Sequence, residues 1–597
     1  MHRCFRFSVE FNLPHTLSLE LINQWVYESG FKWGRDSYAF ERLDPRLAAY
    51  LSYWLDIYKG VLLESGVPMF QAPMIRKLEA RGLERYCMTI EIRELDGFEP
   101  ALRYALPLCG ELLITLNQTN FSLENFVKVG EWVHEKLYGP LKKASFSGVS
   151  TIPILRYAYQ HSIPFKHLGK GIYRLGYGHL AQTLSKSATQ ADSFLGGSIS
   201  ESKQLSAQLF RALGFPAAQH QVISTVDEAK QAAKDLGFPV VVKPENSNRS
   251  EGVSIDIDSE LSLETAYTLA KKFSDKILVE KQCAGITYRF FVFQDEVLYV
   301  NANKPRVVVA DGQSSIEKLL EQDALAQKLT VPWKRKPAIP KDSETQVCLQ
   351  EQGLSLESVP ELGSLIQVRK VASTQWGSHN SHNVELCSIH PENLKLAVRA
   401  AQSVHLTTAG VDIICEDLTQ PWFEQECLIP EVNFSPMLGV SPASILALPR
   451  YFAKLFPNGA RISIEVFIGQ SQAWEMAQQR QLEKLQQGES CYLTSHNKTL
   501  NSQQQNEYLP FETLHQRAQA LLSWQQVTAL ILVIQNDEML REGKPVDQVS
   551  RLSITDEWIE CAQPYAVASS KDEHKSHTHT KIVELYKQLV EDAVTQI

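Results

Sequence analysis

Residues 228–257 read EAKQAAKDLGFPVVVKPENSNRSEGVSIDI, and this stretch decides the fold of the central part of the chain. The pattern predicts a helix, a Gly-Phe-Pro turn and then a buried strand over Pro239–Val242 that ends in Lys243. A lysine at the end of an apolar strand is costly unless its ammonium group meets an anion. The stretch therefore predicts an anion site at the end of this strand.

The loop after this strand is built of small residues and includes Asn246, Ser247 and Gly252. Such a loop can lay its backbone N–H groups over a phosphate. Upstream, ISESKQLSAQLFRALGFPAAQ places Lys203 at the start of a helix. A hairpin loop beside a solvated lysine remains the alternative for these pieces taken alone.

The next elements continue the alternation of helices and strands. KILVEKQCAG predicts a strand over Ile277–Val279 whose end carries Glu280, Lys281 and Cys283. TYRFFVFQDEVLYVNANKP predicts two strands around a Gln-Asp turn. Polar side chains thus gather where these strands end.

Two later strands contain acidic residues inside apolar runs. VDIICED places Asp412 in a buried strand, and CLIPEVNFSPM places Glu431 and Asn433 on the following one. Glu431 and Asn433 are two residues apart, so they point to the same face of a strand. Two carboxylates and an amide oxygen are hard ligands that suit Mg²⁺, with nucleotide phosphates completing its shell. A lone buried aspartate would instead be a satisfied structural residue.

The order of these pieces resembles the ATP-grasp superfamily, and within it the cyanophycin synthetase family. The stretches that carry the second resemblance are IPFKHLGKGIYRLGYG, KPRVVVADGQSSIEKLLEQ, HPENLKLAVRAAQSVHLTTAGVDI and EVNFSPM. Together they lie within residues 150–455. The resemblance implies an ATP-dependent carboxylate–amine ligase that forms an amide bond through an acyl phosphate. It also implies ADP and phosphate as products, and amino acids or peptides as substrates.

The resemblance further implies a role for each candidate residue. The residues expected to bind ATP are Lys203, Lys243, Asn246, Ser247, Gly252, Glu280, Lys281, Cys283 and Thr287. Of these, the resemblance implies that Lys203 and Lys243 hold the α- and β-phosphates, and that Glu280, Lys281 and the backbone at Cys283 form the hinge that reads the adenine. Those expected to face the phosphates or the acyl phosphate, and so to be catalytic, are Arg289 and Arg369. Those expected to bind Mg²⁺ are Asp412, Glu431 and Asn433.

The chain departs from the family pattern at three places. The phosphate loop keeps only Gly252 and introduces Glu251, an anion near phosphates. Thr287 stands where the family has an acid for the ribose, and STQWGSHNSHN replaces a Thr/Gly-rich stretch. These changes concern substrate identity and loop geometry more than ATP binding.

We expect an α/β and α+β multidomain protein. The expected parts are an α/β cyanophycin-synthetase-like domain over 1–160, a connector of short loops over 161–200, an ATP-grasp domain over 201–455, and an incomplete, degenerate Mur-ligase-like α/β domain over 456–597. In the last part, IGQSQAW stands where the family has the phosphate loop G-x-x-G-K-T-T, and it lacks the lysine and the Ser/Thr of that motif. An unrelated α/β domain is the alternative.

Several simpler predictions concern local structure. In the first 160 residues we expect helices over Leu47–Tyr58 and Leu123–Leu137, and strands over Tyr86–Ile92 and Glu111–Leu116. The tail with His574, His577 and His579 is expected to be a solvated linker rather than a metal site, because Ser, Thr and Lys surround the histidines.

Composition narrows the class of protein. The formal charge is −9 without a basic run, so nucleic acid is not an expected partner. The 10 cysteines are scattered and form no C-x-x-C pair, which favours reduced thiols in the cytoplasm. No window approaches the roughly 20 apolar residues of a membrane helix. We also expect a homo-oligomer.

Two hypotheses follow. The first is an active ligase that forms one amide bond, and the second is a catalytically degenerate homologue that binds nucleotide or peptide and regulates a full synthetase. The retention of both lysines and all three metal ligands favours the first hypothesis. A third possibility keeps the fold but transfers phosphate or forms a thioester.

Overall fold

The computed structural model describes residues 4–10, 16–38, 40, 43–71, 74–78, 85–91, 95, 97–245, 252–372, 380–556 and 559 of the 597-residue chain. His574, His577 and His579 lie outside the described residues. The described chain combines helices with several separate sheets, which agrees with the predicted multidomain class. No helix in these ranges has the length and apolar character needed to cross a membrane.

In its described residues, the N-terminal region combines a small antiparallel sheet of order β1-β3-β2 with six α-helices. Its elements are β1 (Cys4–Glu10), α1 (Leu19–Asn23), α2 (Pro45–Glu64), β2 (Met74–Leu78), β3 (Arg85–Glu91), α3 (Glu99–Gln118), α4 (Leu123–Val133), α5 (Gly139–Ser145) and α6 (Thr151–Gln160). The predicted helices over Leu47–Tyr58 and Leu123–Leu137 are confirmed by α2 and by α4 with the π-helical turn His134–Tyr138. β3 confirms the strand predicted from Tyr86.

The strand predicted over Glu111–Leu116 is wrong, because these residues form the second half of helix α3. Leu112, Leu113 and Leu116 are buried, and they continue the helical spacing of Cys109 earlier in α3. The β-branched Ile114 is instead 43% exposed. The leucines of this run thus belong to one buried face of helix α3. A run this short does not distinguish the period of a helix from that of a strand.

Residues 161–200, expected to be a connector of loops, contain a four-stranded antiparallel sheet in the order β4-β5-β6-β7. Its strands and the following helix are β4 (Phe165–Gly169), β5 (Ile172–Leu175), β6 (Gln182–Ser185), β7 (Ala188–Thr189) and α7 (Phe194–Glu201). Gly171, Gly176 and Gly178 lie between these strands, whereas Gly169 ends β4 and Gly196 and Gly197 lie in α7. The expectation of loops alone is therefore wrong, because short strands between turns carry few apolar residues of their own.

The first central sheet is antiparallel, with the order β10-β9-β11-β8. The elements of this part are α8 (Lys203–Ala212), β8 (His220–Ile223), α9 (Val226–Leu236), β9 (Val240–Pro244), β10 (Ser254–Ile257), α10 (Glu260–Lys271) and β11 (Ile277–Lys281). Val240, Val242 and Val279 pack with alanines of α9 and α10 in one apolar cluster. Because alternate residues face opposite ways, Lys243 lies on the other face from Val242.

The second central sheet is a five-stranded antiparallel sheet of order β16-β13-β12-β17-β18. This part contains β12 (Ile286–Phe293), β13 (Glu296–Lys304), β14 (Val307–Val309), α11 (Ile316–Lys328), α12 (Ser343–Glu351), β15 (Leu365–Gln367), β16 (Asn380–Val384), α13 (Pro391–Ser403), β17 (Thr408–Cys415), β18 (Cys427–Phe434), α14 (Pro442–Leu446) and α15 (Leu448–Leu455). The strands β14 and β15 form a separate two-stranded sheet.

Aromatic contacts join the N-terminal helices to this second sheet. The Tyr157 ring stacks on the Phe452 ring with centroids 4.5 Å apart, and the rings of Phe293 and Tyr451 lie 4.4 Å apart. All four residues belong to or pack against one apolar cluster whose members range in sequence from Ile22 to Ala460. The N-terminal region therefore supports the sheet that carries the candidate site.

The C-terminal region has a mostly parallel sheet of order β21-β20-β22-β19-β23. Its elements are β19 (Ser463–Ile468), α16 (Ser471–Gln486), β20 (Cys491–Thr494), β21 (Thr499–Leu500), α17 (Leu514–Leu521), β22 (Ala529–Ile534), α18 (Met539–Glu542) and β23 (Arg551–Ile554). The two predicted strands, ISIEVFI and ALILVI, lie side by side as β19 and β22. Their apolar runs are continuous because both faces of this sheet are covered.

Candidate active site

Lys243 lies at the end of β9, and its ammonium group contacts an anion of the protein itself. Its Nζ atom is 2.6 Å from Oε2 of Glu280 on the neighbouring strand β11. The two side chains are 10% and 5% exposed, so both charges are largely removed from water. A buried charge of this kind needs a close partner. The predicted phosphate lysine and the first residue of the predicted adenine hinge therefore form one ion pair.

Lys203 begins helix α8, which is capped at its N-terminus by the Ser202 side chain accepting from the Leu205 N–H. The Nζ atom of Lys203 donates to the backbone carbonyl of Glu245, immediately after β9, at 3.4 Å. Burial lowers the pKa of Lys203, and Glu431 is the strongest opposing influence. Lys203 thus lies close enough to both sheets to interact with each of them.

A row of charged residues crosses the second sheet on one face. Arg289 of β12 is directly opposite Asp412 of β17, which is directly opposite Glu431 of β18. The Arg289 guanidinium binds Asp412 through two nitrogens, with Nη2 at 2.6 Å from Oδ2 and Nε donating to Oδ1. Nη2 is also 3.6 Å from Oε1 of Glu431. The predicted catalytic arginine and two predicted metal ligands therefore form one cluster.

The charges of this cluster depend on one another. Burial opposes the charge of Arg289, but attraction and hydrogen bonds to Asp412, together with attraction to Glu431, outweigh burial and raise the pKa of the guanidinium. Burial likewise opposes the charge of Glu431, yet Arg289 and Lys203 together lower its pKa. For Asp412, burial raises the pKa to about 7 although Arg289 opposes the change, and Glu431 adds to the rise. The Asp412 carboxylate is thus the group that most needs a cation beside it.

The third predicted metal ligand, Asn433, lies on the same face of β18 as Glu431. Its Nδ2 atom donates to Oε1 of Glu431 at 3.1 Å and to the Gly410 carbonyl at 3.4 Å. The oxygens of Asp412, Glu431 and Asn433 are hard donors of the kind that Mg²⁺ takes in proteins. Among the residues that the structure describes, no group of three or more His, Cys, Asp or Glu side chains is arranged so that it could hold a metal ion.

The remaining residues of the predicted adenine hinge lie where β11 leads into β12. The Lys281 N–H donates to the Gln219 carbonyl at 3.0 Å, and the Cys283 thiol is 3.8 Å from the Ile414 carbonyl of β17. Burial raises the pKa of the Cys283 thiol to about 12. Thr287 is two residues before Arg289 on β12, so both side chains share a face. The segment therefore connects the two sheets beside Lys243 and Arg289.

The predicted phosphate loop is described only at its end. Asn246 and Ser247 lie outside the described residues. Gly252 adopts φ +71°, and a Cβ atom there would be 2.9 Å from Cγ of Pro244 and 2.7 Å from Cδ2 of Phe273. Only glycine fits this position without movement of its neighbours.

Arg369 lies in a different part of the fold. It follows β15, and its Nη1 atom is 2.7 Å from Oδ1 of Asp342 while Nη2 contacts the Glu344 carboxylate. The next residue, Lys370, has its Nζ atom 3.4 Å from Oδ2 of Asp256 on β10. The structure thus places Arg369 in an ion-paired cluster next to the first sheet rather than in the Arg289 row, and its predicted catalytic role stays a prediction.

Sequence reasoning missed two polar residues of these rows. His220 on β8 is directly opposite Glu280, and Asn301 on β13 is directly opposite Arg289. Burial lowers the pKa of His220, while Glu280 opposes that change. Asn301 could have been found from the sequence, because it is a polar residue between Val300 and Ala302 inside an apolar strand. His220 could not, because its strand of four residues is too short to show such a pattern.

Within the stretch IGQSQAW, which was predicted to lack a phosphate loop, Gly469 and Gln470 join β19 to α16. The backbone N–H of Gln470, the residue before α16, donates to Oδ2 of Asp556 at 2.6 Å. Gly469 adopts φ +146°, and a Cβ atom there would be 2.3 Å from the same oxygen. A carboxylate of the chain thus occupies the position of a phosphate at this helix start. That this loop does not bind phosphate stays a prediction.

The sequence of the chain is similar to one protein-family model and to several known proteins. The family model described as "D-ala D-ala ligase C-terminus" matches residues 209–316. Cyanophycin synthetase of Trichormus variabilis is 30% identical over 326 residues, which cover 52% of this chain and 35% of that protein. The glutathione biosynthesis bifunctional protein GshAB of Clostridium perfringens is 28% identical over 263 residues, covering 42% of this chain and 33% of that protein.

Among solved structures, a bifunctional glutathione synthetase from Pasteurella multocida aligns with a TM-score of 0.40 and 19% identity, covering 64% of this chain and 66% of that chain. The chain spans 35–42% of the length of the cyanophycin synthetases that it matches. The predicted resemblance is confirmed: the chain resembles cyanophycin synthetase, and its residues 209–316 resemble the C-terminal part of D-Ala-D-Ala ligase. The helices and separate sheets of the described residues agree with the predicted multidomain α/β class.

Proposed function

We propose that this ATP-grasp chain is an ATP-dependent ligase that joins a carboxylate to an amine through an acyl phosphate. Its relatives are named as synthetases, a biosynthesis protein and a ligase, which supports the class of reaction. Amino acids or peptides are the proposed substrates, ATP the proposed nucleotide and Mg²⁺ the proposed metal. The proposal covers one amide bond per cycle, because the Asp556 carboxylate accepts a hydrogen bond from the Gln470 N–H at the start of α16, where a second phosphate would bind.

One observation carries this proposal: the cations and the oxygen ligands that the reaction needs converge from separate segments. Lys203 interacts electrostatically with Glu431 of the second sheet and with Lys243 and Glu280 of the first. Its position therefore joins the Lys243–Glu280 pair to the Arg289–Asp412–Glu431 row. A nucleotide between the two sheets would have its phosphates beside two lysines and its metal-binding side toward the acidic row.

The chemistry assigned to the protein is positioning and charge neutralisation. A carboxylate oxygen of the substrate attacks the γ-phosphorus, the bond to the β-bridging oxygen breaks, and ADP leaves. The amine then attacks the acyl carbon, phosphate leaves, and the amine loses a proton. Lys203 and Lys243 would hold the phosphates while negative charge moves to ADP, and Arg289 would face the acyl phosphate. No side-chain nucleophile is required.

The three oxygen-bearing residues Asp412, Glu431 and Asn433 would hold Mg²⁺. When bound, this ion neutralises charge on the β- and γ-phosphates. Because Asp412 is now bound to Arg289, we expect nucleotide binding to release part of that contact. The Arg289 guanidinium is then free to turn toward a phosphate, and it remains charged because an arginine side chain keeps its proton in proteins.

The same rearrangement is expected at Lys243. Its partner Glu280 lies at the start of the proposed hinge, where a carboxylate or the adjacent backbone can accept from an adenine amino group. A triphosphate would compete with Glu280 for the Lys243 ammonium. The proposed nucleotide thus replaces two internal ion pairs with contacts to phosphate and metal.

The test is ADP release by the purified chain with ATP, Mg²⁺ and a pool of amino acids and dipeptides, followed by mass spectrometry. We expect release that requires a carboxylate and an amine together, and a product whose mass is their sum minus water. Lys203→Met should reduce turnover by roughly 10²-fold or more. Lys234→Met, at an exposed lysine of α9 that pairs with Glu260, is the matched control.

Two results would contradict the proposal. Nucleotide binding without ADP release under any substrate combination would favour the non-catalytic regulatory partner, a hypothesis that the comparisons do not support. Normal turnover by Lys203→Met would show that the site is elsewhere. A product containing transferred phosphate or a thioester would keep the nucleotide site but change the reaction.

A further inference from the structure

The small sheet formed by β14 and β15 has one edge that is covered and one that is open. On the β15 side, the Gln352 side chain binds the backbone of Gln367. The Gln367 N–H donates to Oε1 of Gln352 at 3.1 Å, and Nε2 of Gln352 donates to the Gln367 carbonyl at 2.8 Å. A side-chain amide therefore occupies the outer edge of β15 in the way a neighbouring strand would.

On the β14 side, the backbone groups of two valines point away from β15. Arg306 and Ala310 make the ladder bonds, since Val368 N–H donates to the Arg306 carbonyl and Ala310 N–H to the Ser364 carbonyl. In an antiparallel pair, the residues between such bonds direct their N–H and C=O groups outward. Val307 and Val309 occupy those positions. Within the described ranges, nothing in the protein hydrogen bonds to their outward groups.

These outward groups face a cleft with a volume of about 640 Å³. Its lining includes Val307 and Val309 of β14 together with Gln322 and Gln327 of α11. The volume lies within the range of sites that bind small ligands or peptide segments. The three residues of β14 span roughly 10 Å, which matches a short extended segment.

The charged lining of the cleft is mainly positive. Arg306, Lys334 and Lys336 contribute three cations, and Asp323 contributes the carboxylate. Asp323 is held by Arg306, with Nη2 and Oδ2 2.7 Å apart, and Lys334 contacts Glu64 of α2. Lys336 is exposed at the rim. An occupant with negative charge is therefore favoured over a cationic one.

We propose that the open edge of β14 binds an extended peptide with carboxylate side chains, which joins the sheet as a third strand. An unpaired strand edge offers alternating N–H and C=O groups, and an extended peptide backbone is their direct complement. Every second side chain of that peptide would face the lysines. This binding rests on the unpaired edge of β14 and on the charged lining of its cleft. It holds whether or not the chain is a ligase.

The probe is a fluorescein-labelled, eight-residue peptide of alternating Asp and Thr, with binding followed by fluorescence anisotropy in the absence of nucleotide. We expect saturable binding to the full chain. A peptide with Lys in place of Asp should bind at least tenfold more weakly, because it meets the same cations. The Asp peptide with every backbone nitrogen methylated should also bind at least tenfold more weakly, because it cannot donate to the Val307 and Val309 carbonyls.

Two pairs of variants locate the site. Val309→Pro removes one outward N–H and spares the ladder bonds of β14, whereas Leu365→Pro removes an outward N–H from the opposite strand β15. Lys336→Glu reverses a charge in the cleft, whereas Lys328→Glu reverses one at the end of α11 outside the cleft lining. We expect the first member of each pair to weaken binding at least tenfold and the second to leave it within twofold.

Equal binding of the methylated and unmethylated peptides would overturn the proposal, because strand addition requires backbone donors. Equal effects of Lys336→Glu and Lys328→Glu would also overturn it, and these variants leave the backbone intact if Val309→Pro fails to fold. Native mass spectrometry showing a dimer that Val309→Pro dissolves would identify a second copy of the chain as the occupant and refute the peptide. None of these outcomes bears on ADP release, so failure here is distinct from failure of the proposed ligase.

Discussion

The Nζ atom of Lys243 and the Oε2 atom of Glu280 form a buried ion pair, 2.6 Å apart, across the neighbouring strands β9 and β11. The pair connects the lysine proposed for phosphate with the residue that begins the proposed adenine hinge. Each charge is held in place by the other, so the loss of either leaves a charge in a nearly dry environment. This relationship makes the site and the stability of the sheet interdependent.

We predict that Lys243→Met lowers the free energy of unfolding as well as nucleotide affinity. Removing one partner of a buried ion pair costs about 3–5 kcal/mol, because the remaining charge has no compensation. Urea denaturation would measure the stability and titration calorimetry with ADP would measure the affinity. The double variant Lys243→Met/Glu280→Gln should recover most of the stability but none of the affinity. Equal stabilities of the single and double variants would argue against the buried pair.

The lowered pKa of Lys203 predicts opposite effects of alkaline pH on binding and on stability. The ammonium loses its proton below the ordinary pKa of 10.5, so nucleotide affinity should fall as pH rises toward that value. In the same range the unfolded chain binds more protons than the folded chain at this residue, so its contribution to folding stability rises with pH. Lys203→Arg, whose charge persists, should abolish the alkaline fall in affinity. An unchanged pH profile in this variant would show that Lys203 does not contact the nucleotide.

Asp412→Asn should destabilise the second sheet, because Arg289 loses a bidentate partner. Hydrogen bonds to charged groups contribute about 1.5–3 kcal/mol, and the 29% exposure of the Arg289 side chain favours the lower end. A double-mutant cycle with Arg289→Met, measured by urea unfolding, should show a coupling energy of at least 1 kcal/mol. Additive effects of the two substitutions would contradict the observed pairing.

We predict one nucleotide per chain. The C-terminal loop presents the Gln470 N–H to the Asp556 carboxylate, which would repel a phosphate at the same place. Titration calorimetry with ATP and Mg²⁺ should therefore give a stoichiometry of about one, and Lys243→Met/Glu280→Gln should reduce it to zero. Residual binding in that double variant would locate a second nucleotide site outside the central sheets.

Much of the central region could be predicted from the sequence because its signals are local. The apolar run before Lys243 and the apolar strands around Asp412, Glu431 and Asn433 each show their structure within a few residues. The order of these pieces then indicated the ATP-grasp resemblance. The strand predicted over Glu111–Leu116 was wrong because its leucines belong to a helical stripe that begins outside the run. The loops predicted over 161–200 were wrong because strand pairing, and not composition, organises those residues.

The sequence by itself determined which residue types were present and which faces of the strands they share. The tertiary structure alone decided their partners: Glu280 with Lys243, Arg289 with Asp412, and Asp342 and Glu344 with Arg369. It also decided that Asp556 accepts a hydrogen bond from the Gln470 N–H and that one edge of β14 has no neighbouring strand. The physical reason is that buried charges and strand edges are satisfied by groups distant in the chain. Their identity depends on sheet order and register, which no local pattern records.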